Sequence, residues 1–481
     1  MAEVSARPDN LTTYRSNLEA VDQGLRSVAD RLLPLLEAYH DHCSDWGVDY
    51  RGLAHTLRKH ATAMEQLDGW VGRVGEAFRN ADHDNGSAPS GVVRTIEASV
   101  DRVMADALEA EYTKFVVLPQ FLSISDPQQV YDWWLTLTQE ERDAITAAHP
   151  DTIGNVDGIP CIDRDKANRT VLAQQLDTLN AQLQDLRAHE PPPDDAGRVF
   201  WDVKMQSIND QLNGLNAINN RLNHPQPGQP QAFLLGLDTQ GNGHAIIAIN
   251  DPDTADNVIT YVPGTGARLG NIGGYTDQSD SMVRSANIAS PKQATSSITW
   301  IGYDAPPDLP HAAFPGYAKN AEGSLRNFEV GLRTTHEGPP SLNTIIGHSY
   351  GSTTVGFAMR DGGLPVDKVI FVGSPGVGVE NASDLGIDPS NVYVGLAGHD
   401  PIRLGRLLGV NRAGPFGLLE VVADDITGDR PQVFGRDPSV PQFGANQLPT
   451  DSGGDHSHYF DQASPSLKAI GQVAVGQQPH A

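Results

Sequence analysis

Ser349 stands between two glycines in Gly347-His348-Ser349-Tyr350-Gly351, and the surrounding stretch Asn343–Gly356 passes from apolar residues into small ones suited to a helix start. This spacing is what a strand–turn–helix elbow needs. The turn holds the serine in a strained backbone conformation, and the glycines let neighbouring backbone approach without a Cβ clash. A serine hydroxyl is a poor nucleophile at neutral pH. It needs an imidazole base, and the base needs a carboxylate to fix its tautomer. Asp400, at the end of the apolar segment VYVGLAGHDPI, is the candidate acid, with Asp424 and Asp425 as its nearest rivals. For the base, DSGGDHSHYF (451–460) offers His456 and His458, two residues apart and too close to serve together. His348 and His399 flank the serine and the acid and read as site-lining or structural. An oxyanion needs backbone N–H donors. One is expected from Tyr350, and the other from Val262-Pro263-Gly264-Thr265-Gly266, where Gly264 lets the chain turn inward and Thr265 is the candidate donor.

These residues must be held by elements, and from Ala232 onward short apolar segments recur at Phe233–Leu237, His244–Ile249, Val258–Val262, Ile298–Gly302, Asn343–Ile346, Val369–Val372 and Val392–Ala397. With helical intervals in the later part, they predict a mostly parallel sheet covered on both faces. The first two read as an antiparallel hairpin across Gly241-Asn242-Gly243. Ser349 then follows the fifth strand, the position that the α/β-hydrolase fold assigns to its nucleophile elbow, and the order serine, acid, histidine is that fold's order. Residues 401–450 exceed what a strand-to-histidine connection needs. Leu404, Leu407, Leu408, Phe416, Leu418, Leu419, Phe434 and Phe443 are available there as a lid, a pocket wall or plain core.

The half before this sheet is helical. Leu18, Val21, Leu25, Val28, Leu32 and Leu35 share one helix face, and Leu53, Leu57, Met64, Leu67, Val71, Val74 and Phe78 share another after a break at Asp45-Trp46-Gly47. A further helix is expected over about 92–117, then one before Pro150, and one capped near Asp163 or Asp165. Leu172, Leu176, Leu179, Leu183 and Leu186, answered by Met205, Ile208, Leu212, Leu215, Ile218 and Leu222, predict an antiparallel two-helix arm broken at Pro191-Pro192-Pro193. A partner-binding coiled coil is the second reading of the same leucines. His224-Pro225-Gln226-Pro227-Gly228 marks a boundary, which gives a helical hairpin over 1–125, a helical region over 126–230 and a catalytic domain over 231–481.

Trp133-Trp134, Pro150, Ile153-Gly154, Asp157-Gly158, Arg164-Asp165 and Ala167-Asn168-Arg169 resemble the helical region of an actinobacterial α/β-hydrolase family of unknown function. With the hydrolase motifs, the resemblance spans roughly residues 126 to 470. It implies a His-Ser-x-Tyr loop whose first member is the catalytic histidine, which His456-Ser457-His458-Tyr459 fits, so His456 is the expected base. The helix–Trp-Gly–helix hairpin, ending at Trp70–Asp82, resembles WXG-type substrates of type VII secretion. The tyrosine that follows the second helix in such signals is absent, and Phe78 stands four residues before Asp82.

Composition narrows the classes. The chain of 481 residues carries 34 basic and 60 acidic side chains, a formal charge of −26, with no basic cluster to track a phosphate backbone. Nucleic acid and anionic membrane surfaces are not expected partners. Cys43 and Cys161 are the only cysteines and are far apart, which suggests buried thiols and neither a metal cluster nor a disulfide framework. No basic-then-apolar signal peptide or bilayer-length apolar run is seen. The expectation is an α/β protein that is cytoplasmic or exported by a non-classical route, and a serine hydrolase of an ester, lipid ester or thioester. It needs no metal or cofactor. The alternative is a helical interaction or secretion-associated protein that uses the hydrolase fold for binding, with a helical partner at its N-terminal region.

Overall fold

The structure, a computed structural model, describes residues 126–192, 197–402 and 434–480. The expected helices over 11–82 and 92–117, the WXG-like hairpin, Asp424, Asp425 and the five leucines and one phenylalanine between 404 and 419 lie outside the described residues.

Helices α1 (Pro127–Thr136) and α2 (Gln139–Ala148) open the described chain. Thr138 begins α2 with a reciprocal cap, its hydroxyl accepting from the Glu141 amide while the Glu141 carboxylate accepts from the Thr138 amide. After a helical turn at Pro150–Ile153, α3 (Cys161–Ala188) and α4 (Arg198–Asn223) form the arm. The pairing of Arg169, near the start of α3, with Asn223, at the end of α4, sets them antiparallel. Leu172, Leu179, Leu183, Ile208, Leu212, Leu215 and Ile218 are buried in the same core as the sheet.

The start of α3 corrects the expected cap. The helix begins at Cys161 behind Pro160, with no side-chain cap. The Asp163 carboxylate instead accepts from the indole of fully buried Trp134, and Asp165 accepts from the Leu234 amide and from Arg169. Both carboxylates are engaged in long-range contacts that a local reading of helix ends does not register.

Eight strands form one sheet in the order β1-β2-β4-β3-β5-β6-β7-β8. They are β1 (Ala232–Asp238), β2 (His244–Ile249), β3 (Asn257–Val262), β4 (Thr295–Ile301), β5 (Leu342–His348), β6 (Lys368–Val372), β7 (Val392–Gly395) and β8 (Asn446–Gln447). β1 and β2 are an antiparallel hairpin, β2 runs antiparallel to β4, and the remaining pairs are parallel. The central strands are buried without alternation because both faces are covered. Ile345, Val369 and Phe371 face the core shared with α6 (Gly316–Thr335) and α7 (Tyr350–Gly362). Ile346, Ile370 and Val372 face Met282 of α5 (Ile272–Ala289) and Leu467, Ile470 and Val473 of α8 (Pro465–Ala474).

The outer edge of β1 is closed by side chains in place of a ninth strand. The Leu234 amide donates to Asp165 and its carbonyl accepts from Asn168, while both backbone groups of Leu237 bond the Asn155 side-chain amide. Open strand edges invite pairing with other chains. Three residues of the helical region occupy those positions here.

Candidate active site

Ser349 follows β5 directly and has φ 56° and ψ −128°, one of two non-glycine residues with positive φ among those described. Such a conformation costs on the order of 1–3 kcal/mol and persists where the surroundings over-determine it. The surroundings are visible. The Ser349 amide donates to Val372 at the end of β6 (3.0 Å), and the Ser352 hydroxyl lies 2.5 Å from the Ser349 carbonyl and 2.6 Å from the Ser374 hydroxyl. A Cβ on Gly347 would fall 2.4 Å from Ser352 Cα, and one on Gly351 would fall 2.1 Å from the Val262 carbonyl. Both glycines of the pentapeptide are therefore demanded by close backbone approach, on opposite sides of the serine.

Gly264, after β3, sits against this turn. A Cβ there would be 2.7 Å from each of Ser349 Cβ, the Tyr350 amide nitrogen and the His348 carbonyl. The loop is fixed from beneath by the Tyr303 hydroxyl, which donates to the Pro263 carbonyl (2.8 Å), and by Asn271, which donates to the Gly266 carbonyl (2.9 Å). Thr265 is partly exposed beside it. Tyr350 opens α7, where first-turn amides have no partner within the helix. Its phenol donates to the Phe314 carbonyl, accepts from the Ala318 amide and meets the Phe434 ring edge-on at 6.1 Å.

Asp400 lies beyond the end of β7 with its carboxylate out of solvent. Burial pushes that carboxyl up, but hydrogen bonds from His456 and Tyr459 outweigh it, and the group is held below the ordinary carboxylate range. His456 Nδ1 lies 3.0 and 2.9 Å from the two carboxylate oxygens. An ionised carboxylate only accepts, so Nδ1 carries the proton and a neutral ring has its lone pair on Nε2. His458 does not reach Asp400. Its Nδ1 is 2.6 Å from Asp455 on the same exposed loop, a contact that raises its pKa.

His348 joins the two halves. Its Nε2 donates to the His456 carbonyl at 2.9 Å, and the two rings are 4.9 Å apart. Desolvation, followed by the His456 charge, drives the His348 imidazole down to about 4, so it is a neutral donor at neutral pH. His399 is exposed, and its amide donates to the Gly454 carbonyl. No hydrogen bond joins the Ser349 hydroxyl to the His456 ring; contacts of this kind are often long before substrate is bound.

Two neighbours of the pair escaped the sequence reading. Gly373 has φ 55°, and a Cβ there would stand 2.9 Å from Asp400 and 3.0 Å from the His456 ring. A glycine directly after β6 was the available signal. Tyr459, 59 positions from Asp400 in sequence, donates its phenol to that carboxylate. It was legible only as the last member of the His-Ser-x-Tyr pattern.

A mostly parallel sheet covered on both faces, with a serine in a strained turn after β5 and a histidine–aspartate pair beside it, defines the alpha/beta hydrolase class. Residues 238–408 match the model of a family described as an alpha/beta hydrolase, so the C-terminal region carries such a domain. Among curated proteins the chain is similar to an uncharacterized protein of Mycobacterium tuberculosis strain H37Rv, 32% identical over 373 residues, 72% of this chain and 55% of that one. It is also similar to an uncharacterized Mycobacterium bovis protein, 29% identical over 235 residues, 46% of this chain and 82% of the relative. The chain thus spans about half the length of the first of these relatives. Among solved structures it is similar to an arylesterase (13% identity, 62% of this chain and 96% of that one, TM-score 0.33). It is similar too to the esterase LipW of Mycobacterium marinum (16%, 43% and 74%, TM-score 0.27). At these scores neither likeness carries an argument about activity.

Proposed function

We propose that this chain is a serine hydrolase that cleaves a carboxylic ester, lipid ester or thioester through Ser349, His456 and Asp400. The observation that carries the reading is His456 Nδ1 on the ionised, buried Asp400 carboxylate, next to a serine with φ 56°. In this reading the Ser349 oxygen attacks the acyl carbon as its proton passes to His456 Nε2. The tetrahedral oxyanion is received by the amides of Tyr350 and Thr265. Its collapse expels the alcohol or thiol, which takes the proton from His456, and leaves an acyl-enzyme. Water then attacks the acyl carbon as the same nitrogen takes its proton, and the bond to the Ser349 oxygen breaks as that oxygen takes the proton back, which releases the acid. Asp400 stays ionised throughout and stabilises the imidazolium.

Residues 231–481 are the proposed catalytic domain and 126–230 a helical region on it. Phe434, buried and edge-on to Tyr350, is a candidate wall of the acyl pocket. The test is a panel of p-nitrophenyl esters of increasing chain length. Turnover by the folded chain and its loss in Ser349→Ala is the expected result; equal rates for the two proteins would remove the reading.

A further inference from the structure

Asp400 receives a donor beyond the histidine it orients. Its Oδ1 accepts from the Ile402 amide (2.9 Å), both oxygens face His456 Nδ1, and Oδ2 accepts from the Tyr459 phenol. The direction of that last bond is settled by chemistry, since an ionised carboxylate cannot donate. The phenol oxygen keeps its lone pairs and accepts from the Ala397 amide at 3.0 Å. Ala397 and Asp400 share the loop after β7, whereas Tyr459 is three positions beyond His456. One side chain, 1% exposed, thus bonds the acid and the backbone beneath the acid while belonging to the loop that carries the base. Its own backbone is held as well, because the hydroxyls of Ser464 and Ser466 both donate to the Tyr459 carbonyl (3.1 and 2.8 Å). The ring meets His348 edge-on at 5.8 Å.

We infer that Tyr459 is a positioning residue for the Asp400–His456 pair: its phenol sets the plane of the carboxylate and so the direction in which His456 presents Nε2. A carboxylate turns readily about its last side-chain torsion, whose energy profile is broad. With donors on both oxygens the plane is fixed before substrate arrives, and the ring it orients is fixed with it. The inference rests on the serine-hydrolase reading.

The test is steady-state kinetics on p-nitrophenyl butyrate for wild type, Tyr459→Phe, Asp400→Ala and the double variant. Phenylalanine keeps the ring, so the fold is expected to survive, and thermal melting checks it. Loss of orientation alone lowers kcat about tenfold while KM stays within about twofold. In the Asp400→Ala background the phenylalanine substitution adds nothing, because the group it acts through is gone. Tyr459→Phe at wild-type kcat, or losses that multiply in the double variant, would each overturn the inference. A folded wild type that turns over no ester would instead overturn the serine-hydrolase reading beneath it.

Discussion

At the scale of single residues the two histidines of the 451–460 loop divide cleanly. His456 lies on buried Asp400, and His458 lies on exposed Asp455. His456→Ala is therefore expected to lower kcat for p-nitrophenyl esters by roughly 10⁴-fold or more, in line with removal of a triad member. His458→Ala is expected to stay within about threefold, since it removes only an exposed pair of small energetic weight. The reverse ranking would transfer the base to His458. Choosing between them from the chain alone leaned on a family pattern, because two histidines in one glycine-rich loop look alike locally. Ser349, the proposed nucleophile, stood in the more legible motif. Gly347 and Gly351 announce close backbone approach, and the distances to Ser352 and Val262 show why no other residue fits. Tyr459 and Gly373 were legible only as a pattern member and as a glycine after an apolar segment, since their place beside Asp400 depends on a residue far away in the chain.

At the scale of elements, the short apolar segments identified the seven longer strands to within a few residues, because two-sided burial leaves an apolar stretch in each. β8, two exposed polar residues, has no such signature. The expected caps at Asp163 and Asp165 failed for a related reason, their carboxylates being drawn to Trp134 and to β1. One element carries a pH-dependent liability. Glu329 on α6 is 1% exposed, and one of its carboxylate oxygens has no partner. Burial pushes its pKa up to about 7, with the Thr260 hydrogen bond and Arg333 opposing. The folded state thus holds this proton more tightly than the unfolded chain, whose value is near 4.5. Its contribution is intact below about 4.5 and is lost as pH rises through 7, a difference of roughly 3 kcal/mol. Glu329→Gln, neutral at every pH, is expected to melt higher than wild type at pH 8 and equally at pH 4. A melting difference independent of pH would show that Glu329 does not carry this charge penalty.

At the scale of the whole molecule, the helical region and the sheet are joined by more than apolar contact. Residues whose pattern resembled a family signature bind the edge of β1: Asp165 and Asn168 take Leu234, and Arg169 reaches the Ala232 carbonyl (3.3 Å). On the other side, Arg268, just past the Gly264 loop, pairs with Asp210 of the arm (2.5 Å). A chain beginning at Gln231 would bare the edge of β1 and the apolar face beneath α3 and α4. It is expected to aggregate or to melt well below the full chain in light scattering and calorimetry. A soluble fragment of undiminished melting temperature would show that the helices are dispensable to the sheet.

The central proposal at all three scales is that Ser349 is a nucleophile activated by His456. The most direct measurement is covalent labelling of the folded full chain with a fluorophosphonate, followed by peptide mass spectrometry. The account predicts one phosphonyl adduct, on Ser349, lost on denaturation before labelling and strongly slowed in His456→Ala. A folded protein that takes up no label, or takes it elsewhere at an undiminished rate in Ser349→Ala, would contradict it.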